Sequence, residues 1–272
     1  IIRTHVLRPT WHFVAAEDLR WLLTLTAPRV QLKAATYYRK TGLTPQVLQK
    51  LTTRLARELA KKRACTRDEL AKIVGISGPR LGLALIYAEL EQVICGGPRV
   101  GKHLTWTGVD DWVAPTKPRS RDAALAELTR RYLDGHGPAK DVDLANWSGL
   151  TLGDARRGLE LANWNEAAPK ATKEDSPVVH LLPNFDEFLI GYKDRSASYD
   201  PKRFKKQPSL LSHFVVVDGQ LVGGWRRKGT DQKLIVQRSL GRKFSTAERV
   251  GLEASGAELQ RFTGVPVHFT GW

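Results

Sequence analysis

Between residues 66 and 107 the apolar positions run through two helical stretches and then change to the period of strands. Leu70, Ile73 and Val74 recur at the three-to-four spacing of a helix with one buried face. Leu81, Leu85 and Ala88, interleaved with Leu83, Ile86 and Leu90, then give a second helix a broader apolar surface. Residues 93–95 and 104–106 read as strands, joined by the Gly-rich loop 96–102. The punctuation agrees with these periods. Thr66 is a natural N-cap, and Asp68 and Glu69 put negative charge in the first turn, where the helix dipole favours it. Gly75 can take the left-handed conformation that ends a helix, and Ser77 can cap the next one with Pro79 in its first turn. Helix, turn, helix and hairpin in this order predict a winged helix.

Residues 4–14 alternate as two short strands around Arg8–Pro9, with Trp11 and Phe13 on one face and Thr10 and His12 on the other. They fit the wing of an earlier module. Helices are expected over 15–27 and 30–40, and Thr44–Pro45 opens a third, reaching about residue 62, whose buried stripe is Val47, Leu48, Leu51, Leu55 and Leu59. The motif Leu70-Ala71 followed by Gly75-Ile76-Ser77 returns 74 positions on (144 − 70) as Leu144-Ala145 followed by Gly149-Leu150-Thr151. The same offset carries Leu51 to Leu125, Leu59 to Leu133, Leu85 to Leu159 and Ala88 to Ala162. A repeat of that length belongs to whole domains rather than to a solenoid, and residues 110–120 read as the linker. After 163 the pattern changes. A polar loop at 169–175 is followed by strands at 178–182, 214–217, 220–225 and 233–237, a helix over 246–262 and a last strand at 267–269. The expected fold is α+β, mostly α: tandem winged helix-turn-helix modules followed by a small β-rich, barrel-like C-terminal domain. The boundaries are 1–42 (wing and helices of an incomplete first winged helix), 43–112, 120–176 and 177–272.

Charge adds a partner to this picture. The 272 residues hold 43 Lys and Arg against 28 Asp and Glu, a formal net charge of +15 that suits a polyanion, with nucleic acid first. No run approaches the roughly 20 apolar residues a membrane helix needs. Two cysteines, Cys65 and Cys95, lack metal-ligand spacing and fit a reducing cytosol, and no secretory segment is evident. No metal or other cofactor is expected. The chain has no methionine and opens inside a predicted strand, so its N-terminus is expected to lie upstream of Ile1.

The candidate chemistry is uneven. Reading bases in the major groove needs Arg, Lys, Asn or Gln at base edges, and the second helix of the first motif offers only Arg80, with Glu89 and Glu91 set to repel phosphate. The equivalent helix of the repeat has Arg156 and Arg157 beside Asp154 and Glu160. The wing carries Arg99, Lys102 and His103, either a backbone clamp or solvated charge. Two further basic stretches follow. One is 202–206, where Arg203 and Lys205 flank Phe204; the other is Arg226, Arg227 and Lys228, just after a hairpin strand. Residues 181–195 are the most site-like stretch, with Asp186, Tyr192 and Arg195 among apolar neighbours; Asp186 either orients a water or a cationic substrate, or caps the following turn. No nucleophile triad, Gly-rich phosphate loop, metal-binding helix or redox motif is present.

Two segments, RTHVLRPTWHFVAAEDLRWLLTLTAPRV at 3–30 and LLPNFDEFLIGYKDRS at 181–196, resemble the AlkZ-type (YcaQ-type) winged-helix DNA glycosylases, and the resemblance covers essentially the whole chain. It implies tandem winged helices and a β-barrel forming a basic DNA-binding surface, and hydrolysis of the N-glycosidic bond of alkylated or crosslinked bases. The implied partner is double-stranded DNA, damaged or crosslinked, with no membrane partner; a cytoplasmic, nucleoid-associated monomer is expected. The family's catalytic signature, Gln-apolar-Gln or Gln-apolar-Asp, precedes the RPTWHFV-like strand; Gln46-Val47-Leu48-Gln49 has the wrong spacing, so the signature is expected upstream of Ile1. What carries over is a supporting shell of Thr10, His12 and Asp186, with Arg8 joining the DNA-contacting set; His12 read alone is also a hydrogen-bonded strand histidine. A non-enzymatic winged-helix DNA-binding protein or regulator stands as the alternative.

Overall fold

A computed structural model describes residues 1–163, 176–200, 202, 204, 209–230 and 232–272. The chain is mixed α/β and about half helical, and it divides into two compact units, Ile1–Glu166 and Ala167–Trp272.

The first unit opens on an antiparallel pair, β1 (Ile2–Val6) and β2 (Arg8–Val14), with His5 opposite Trp11 and Thr4 opposite His12. The chain reverses through Leu7, which takes a left-handed φ of 62°. A 3₁₀ turn, Ala16–Asp18, leads into α1 (Leu19–Lys40). The two helices expected here are one. Pro28 lies on the exposed side of α1, where its missing N–H removes one solvent-facing ladder bond, while Leu22, Leu23, Thr26, Val30 and Ala34 remain buried on the opposite side. Thr44 caps α2 (Pro45–Leu59) by accepting from the Val47 amide at 3.3 Å.

The central motif follows as β3 (Cys65–Thr66), α3 (Arg67–Val74), α4 (Gly78–Leu90), β4 (Ile94–Gly96) and β5 (Thr105–Gly108). Thr66 and Glu69 close a capping box at the head of α3, and Gly75 ends it at φ 74°. Ser77 occupies the N-cap position of α4 without a side-chain capping bond. Arg67 holds that turn instead, donating to the Gly78 carbonyl oxygen at 2.8 Å. The hairpin gains a third strand that no periodicity announces: β3, only two residues long, pairs with β5 in the order β3-β5-β4. The expected linker begins as a helical turn, α5 (Val109–Trp112).

The second copy of the motif is α6 (Arg121–His136), α7 (Asp141–Ser148) and α8 (Leu152–Leu161). Its Gly149 sits at φ 73°, matching Gly75, and Thr151 caps α8 in a box with Asp154. Residues 164–175, where a hairpin of this copy would start and where the polar loop was expected, lie outside the described residues.

The breadth of the apolar surface on α4 has a direct cause, because the helix serves three clusters. Leu81, Leu85 and Ala88 pack with Leu55, Leu59, Leu70 and Trp106; Leu90 and Ile86 join the cluster of Leu19, Leu23 and Leu128; Leu83 and Tyr87 rest on Tyr38, Leu43 and Leu48.

The second unit is a curled five-stranded sheet in the order β10-β9-β8-β7-β6, with a long helix on one face and a single helical turn on the other. Its elements are β6 (Val179–Leu182), α9 (Glu187–Ile190), β7 (His213–Val217), β8 (Gln220–Thr230), β9 (Lys233–Gly241), α10 (Thr246–Thr263) and β10 (Val267–Thr270). Asp218 and Gly219 both take positive φ, 50° and 75°, as a two-residue hairpin turn requires. Alternation along β7 separates two faces. Val215 and Val217 pack in the cluster with Leu252 of α10, while Phe214 and Val216 pack with Leu189 of α9.

Candidate nucleic-acid interface

In the first unit the β1–β2 pair is fastened from below by one carboxylate. Glu89, on α4, is fully buried. Its Oε2 lies 2.6 Å from His5 Nδ1 and accepts from the His5 amide at 2.8 Å, while its Oε1 accepts from Trp106 Nε1 at 2.6 Å. This corrects the expectation that Glu89 faces and repels phosphate. It is turned inward, where the His5 amide, the Trp106 indole N–H and the Thr4 hydroxyl donate to it beside the His5 ring and offset the cost of burying a carboxylate. Glu91 is exposed and accepts from Gln31 at 3.0 Å.

Above that node stands a cationic and aromatic layer. The Arg3 guanidinium lies 3.8 Å from the Trp11 ring centroid and 5.4 Å from that of Trp106, a cation–π stack on rings that leave Trp11 42% exposed. One Arg3 amino nitrogen is buried without a hydrogen-bond partner. Burial, opposed by Glu89 and joined by Arg99, pulls the Arg3 pKa below its usual range. The nearby β4–β5 loop carries Arg99, Lys102 and His103, all exposed. Sequence reasoning missed Arg3; pairing it across β1–β2 with the Trp-bearing strand was the available signal.

Thr10 is exposed on β2, and its carbonyl oxygen lies 2.9 Å from His12 Nδ1; His12 Nε2 lies 3.4 Å from Arg8. The first unit thus brings Arg8, Thr10 and His12 together on one strand. The helices that would read DNA offer little. Arg80 is exposed at the start of α4, but in α8 Arg156 pairs with Asp141 at 2.8 Å and Arg157 with Asp122 at 2.7 Å, while Arg121 reaches across to Asp154 at 2.6 Å. These arginines serve to hold helices together.

In the second unit, Asp186 is the N-cap of α9, its Oδ1 accepting from the Phe188 amide at 2.9 Å. Phe185 before it takes φ 58° and donates its amide to the Leu210 carbonyl oxygen at 2.9 Å. Downstream, Tyr192 and Arg195 are half-buried, and burial, opposed by Tyr199, lowers the Arg195 pKa. Arg226, Arg227 and Lys228 do not follow a strand, as expected, but lie within β8. Beyond Trp225 that strand keeps β9 as its neighbour on one side and has lost β7 on the other, so the three cations lie on a free edge of the sheet, beside β9 and β10. Arg203 and Lys205 lie outside the described residues.

Cys65 and Cys95 are buried free thiols; burial, helped by Glu89, pushes Cys95 up to about 12. Among the described residues no group of three or more His, Cys, Asp and Glu is arranged to hold a metal ion, and no single helix is long and apolar enough to cross a membrane.

Comparison with known proteins places this architecture. An interstrand DNA cross-link repair glycosylase of Streptomyces sahachiroi is 25% identical over 307 residues, covering 97% of this chain and 80% of that protein. The solved structure of the Streptomyces sahachiroi DNA glycosylase AlkZ shares the fold, with a TM-score of 0.71 and 23% identity over 99% of this chain and 81% of that one. The family profile described as DNA glycosylase AlkZ-like matches residues 1–262. The chain belongs to the AlkZ-like DNA glycosylase family.

Proposed function

We propose that this protein is a DNA-repair glycosylase that binds damaged double-stranded DNA, crosslinked DNA included, and hydrolyses the N-glycosidic bond of an alkylated base. The observation that carries this reading is the family match over residues 1–262; the name of the curated relative supplies the lesion class. An alkylated purine already bears positive charge and leaves without acid assistance. The protein's task is then to position a water and to stabilise the cationic sugar, and it needs neither metal nor nucleophilic amine. We read Thr10 and His12 in the first unit, and separately Asp186 in the second, as supporting residues for that chemistry.

The finer architecture follows the same reading. The run α2-β3-α3-α4-β4-β5, with its sheet order β3-β5-β4, supports a winged helix at 43–112. The matching helices α6, α7 and α8 support another at 120–176, and β1–β2 with α1 supports the wing and helices of a first at 1–42, ahead of a barrel-like domain at 177–272. DNA contacts are assigned to Arg8, Arg80, Arg99, Lys102 and His103 in the first unit. In the second they are assigned to Tyr192, Arg195, Arg203, Lys205 and the cations of β8. A net charge of +15 suits such a clamp on phosphates. A monomer working in the bacterial cytoplasm, at the nucleoid, is the setting this implies.

The test is to incubate the full-length gene product with duplexes carrying N7-methylguanine or an interstrand crosslink. Release of free base, with abasic sites that alkali then cleaves, is expected. Tight duplex binding without any base release would overturn the hydrolytic part and favour the regulator reading, which base-specific footprints would then support. The scarcity of free cations on α4 and α8 weighs against such a reader.

A further inference from the structure

We propose that Arg8, Arg29 and Lys33 form a phosphate seat for one DNA strand, at the point in the first unit where the β1–β2 turn meets the α7–α8 turn. The inference rests on the DNA-binding reading and deepens it, because neither Arg29 nor Lys33 stands out in the sequence.

Three backbone elements converge there. Arg29 and Lys33 are four residues apart on α1 and so share a face. Lys33 Nζ donates to the Gly149 carbonyl oxygen at 3.2 Å, which draws that face onto the α7–α8 turn. From the other side the β1–β2 turn lands on the same residue: a Cβ at Gly149 would collide with the Leu7 carbonyl oxygen and stand 3.4 Å from Arg8 Cγ. The Arg8 stem therefore lies against Gly149, and its charge is delivered beside that of Lys33.

The charge balance at this junction differs from that of the other helical arginines. The groups that weigh on Lys33, after burial itself, are Arg29 and Arg8, both of which lower its pKa. Its hydrogen-bond partner is a neutral carbonyl. The Arg29 Nε is buried and has no hydrogen-bond partner. Arg156 and Arg157, by contrast, are matched to carboxylates. Holding like charges together costs free energy in a medium less polar than water, and an anion between them removes that cost. A phosphodiester has the right charge, accepts from both an ammonium and a guanidinium, and carries no base identity.

The double variant Arg29→Gln/Lys33→Gln in the full-length protein tests the seat. Both side chains lie at least partly in solvent, so the variant keeps the fold. Duplex affinity is measured against salt concentration, beside a control, Lys50→Gln/Lys62→Gln, that loses the same charge from exposed positions in the same unit. The slope of log affinity against log salt should fall by about one for each phosphate no longer neutralised, and affinity at low salt on the order of tenfold, in the double variant only. A slope equal to that of the wild type, or a fall no larger than in the control, overturns the seat. A second measurement separates it from the DNA reading. Inorganic phosphate, compared with chloride at equal ionic strength, should raise the wild-type melting temperature and leave the double variant unmoved. If phosphate does so while the wild type fails to bind duplex, the anion seat stands and the DNA reading falls; if phosphate stabilises both proteins equally, the seat falls.

Discussion

At the scale of single residues, the most consequential assignment is that of Glu89. It occupies a helix that the sequence pattern offers as a DNA reader, yet it is buried and takes hydrogen bonds from His5 and from Trp106. Removing the carboxylate leaves the Trp106 indole N–H and the His5 amide buried without acceptors. Glu89→Ala is therefore expected to lower stability by about 3–5 kcal/mol, the range for breaking a buried polar pair from one side. Glu89→Gln keeps one acceptor oxygen and should cost less, about 1–2 kcal/mol. Urea unfolding of both variants measures this directly. An alanine variant within about 1 kcal/mol of the wild type would mean that water readily replaces the carboxylate. The seat proposed at Lys33 depends on the same fastening, since Glu89 fixes β1 and so the turn that carries Arg8.

At the scale of elements, Gly75 and Gly149 form a natural experiment. They end equivalent helices at nearly the same φ, 74° and 73°, so an alanine at either meets the same backbone strain, about 1 kcal/mol. Their surroundings differ. A Cβ at Gly75 would meet nothing within 4 Å, whereas at Gly149 it would run into the Leu7 carbonyl. Gly149→Ala should cost at least about 2 kcal/mol more than Gly75→Ala, and it should also weaken duplex binding by displacing Arg8. Equal costs in chemical denaturation would mean that the β1–β2 turn yields freely. This pair also shows where the sequence was legible. The caps at Thr44, Thr66 and Thr151, the helix-ending glycines and the Asp218–Gly219 turn are local signals, and each appears in the fold where its residues lie, whereas Ser77 takes the N-cap position without its side-chain bond. Other features depend on partners far along the chain. The direction of Glu89 is set by His5, 84 positions away, and β3 is too short to show a period. The outer half of β8 reads as a charged loop because it is an edge segment whose own side chains stay exposed, while the apolar residues of that part of the sheet, Leu234 and Val236, lie on its neighbour β9. The candidate site follows the same rule: Arg8, Thr10 and His12 could be named from one strand, whereas Arg3, Arg29 and Lys33 gain meaning only from what packs against them.

At the scale of the whole molecule, a chain this basic depends on its few carboxylates being ionised. The hydrogen bonds of Arg242 hold Glu248 down to about 2, against burial and with help from the Ser245 amide. In the first unit burial works against Asp154 and Glu127, yet bonds from Thr151 and Arg121 to the one, and from Arg131 and Arg130 to the other, still carry both below the usual range. A carboxyl depressed in the folded state stabilises it above the unfolded pKa, and that contribution is lost as pH falls through the folded value. For Glu248 the window runs from 4.5 down to about 2. The shift corresponds to roughly 3 kcal/mol, or about 2 kcal/mol once solvent screening of the partly exposed Arg242 is allowed for. Protonation also lets the charge climb from +15 toward the full complement of 43 Lys and Arg and 7 His, adding self-repulsion. The urea midpoint should accordingly fall steeply below about pH 4.5, and added salt should recover part of the loss. Glu248→Gln separates the two effects. Near pH 7 it should be less stable than the wild type by about 2 kcal/mol, and near pH 2 the difference should close, because the wild-type carboxyl is by then losing its charge as well. A gap that stays constant across this range would mean that the Arg242–Glu248 contact acts through packing alone.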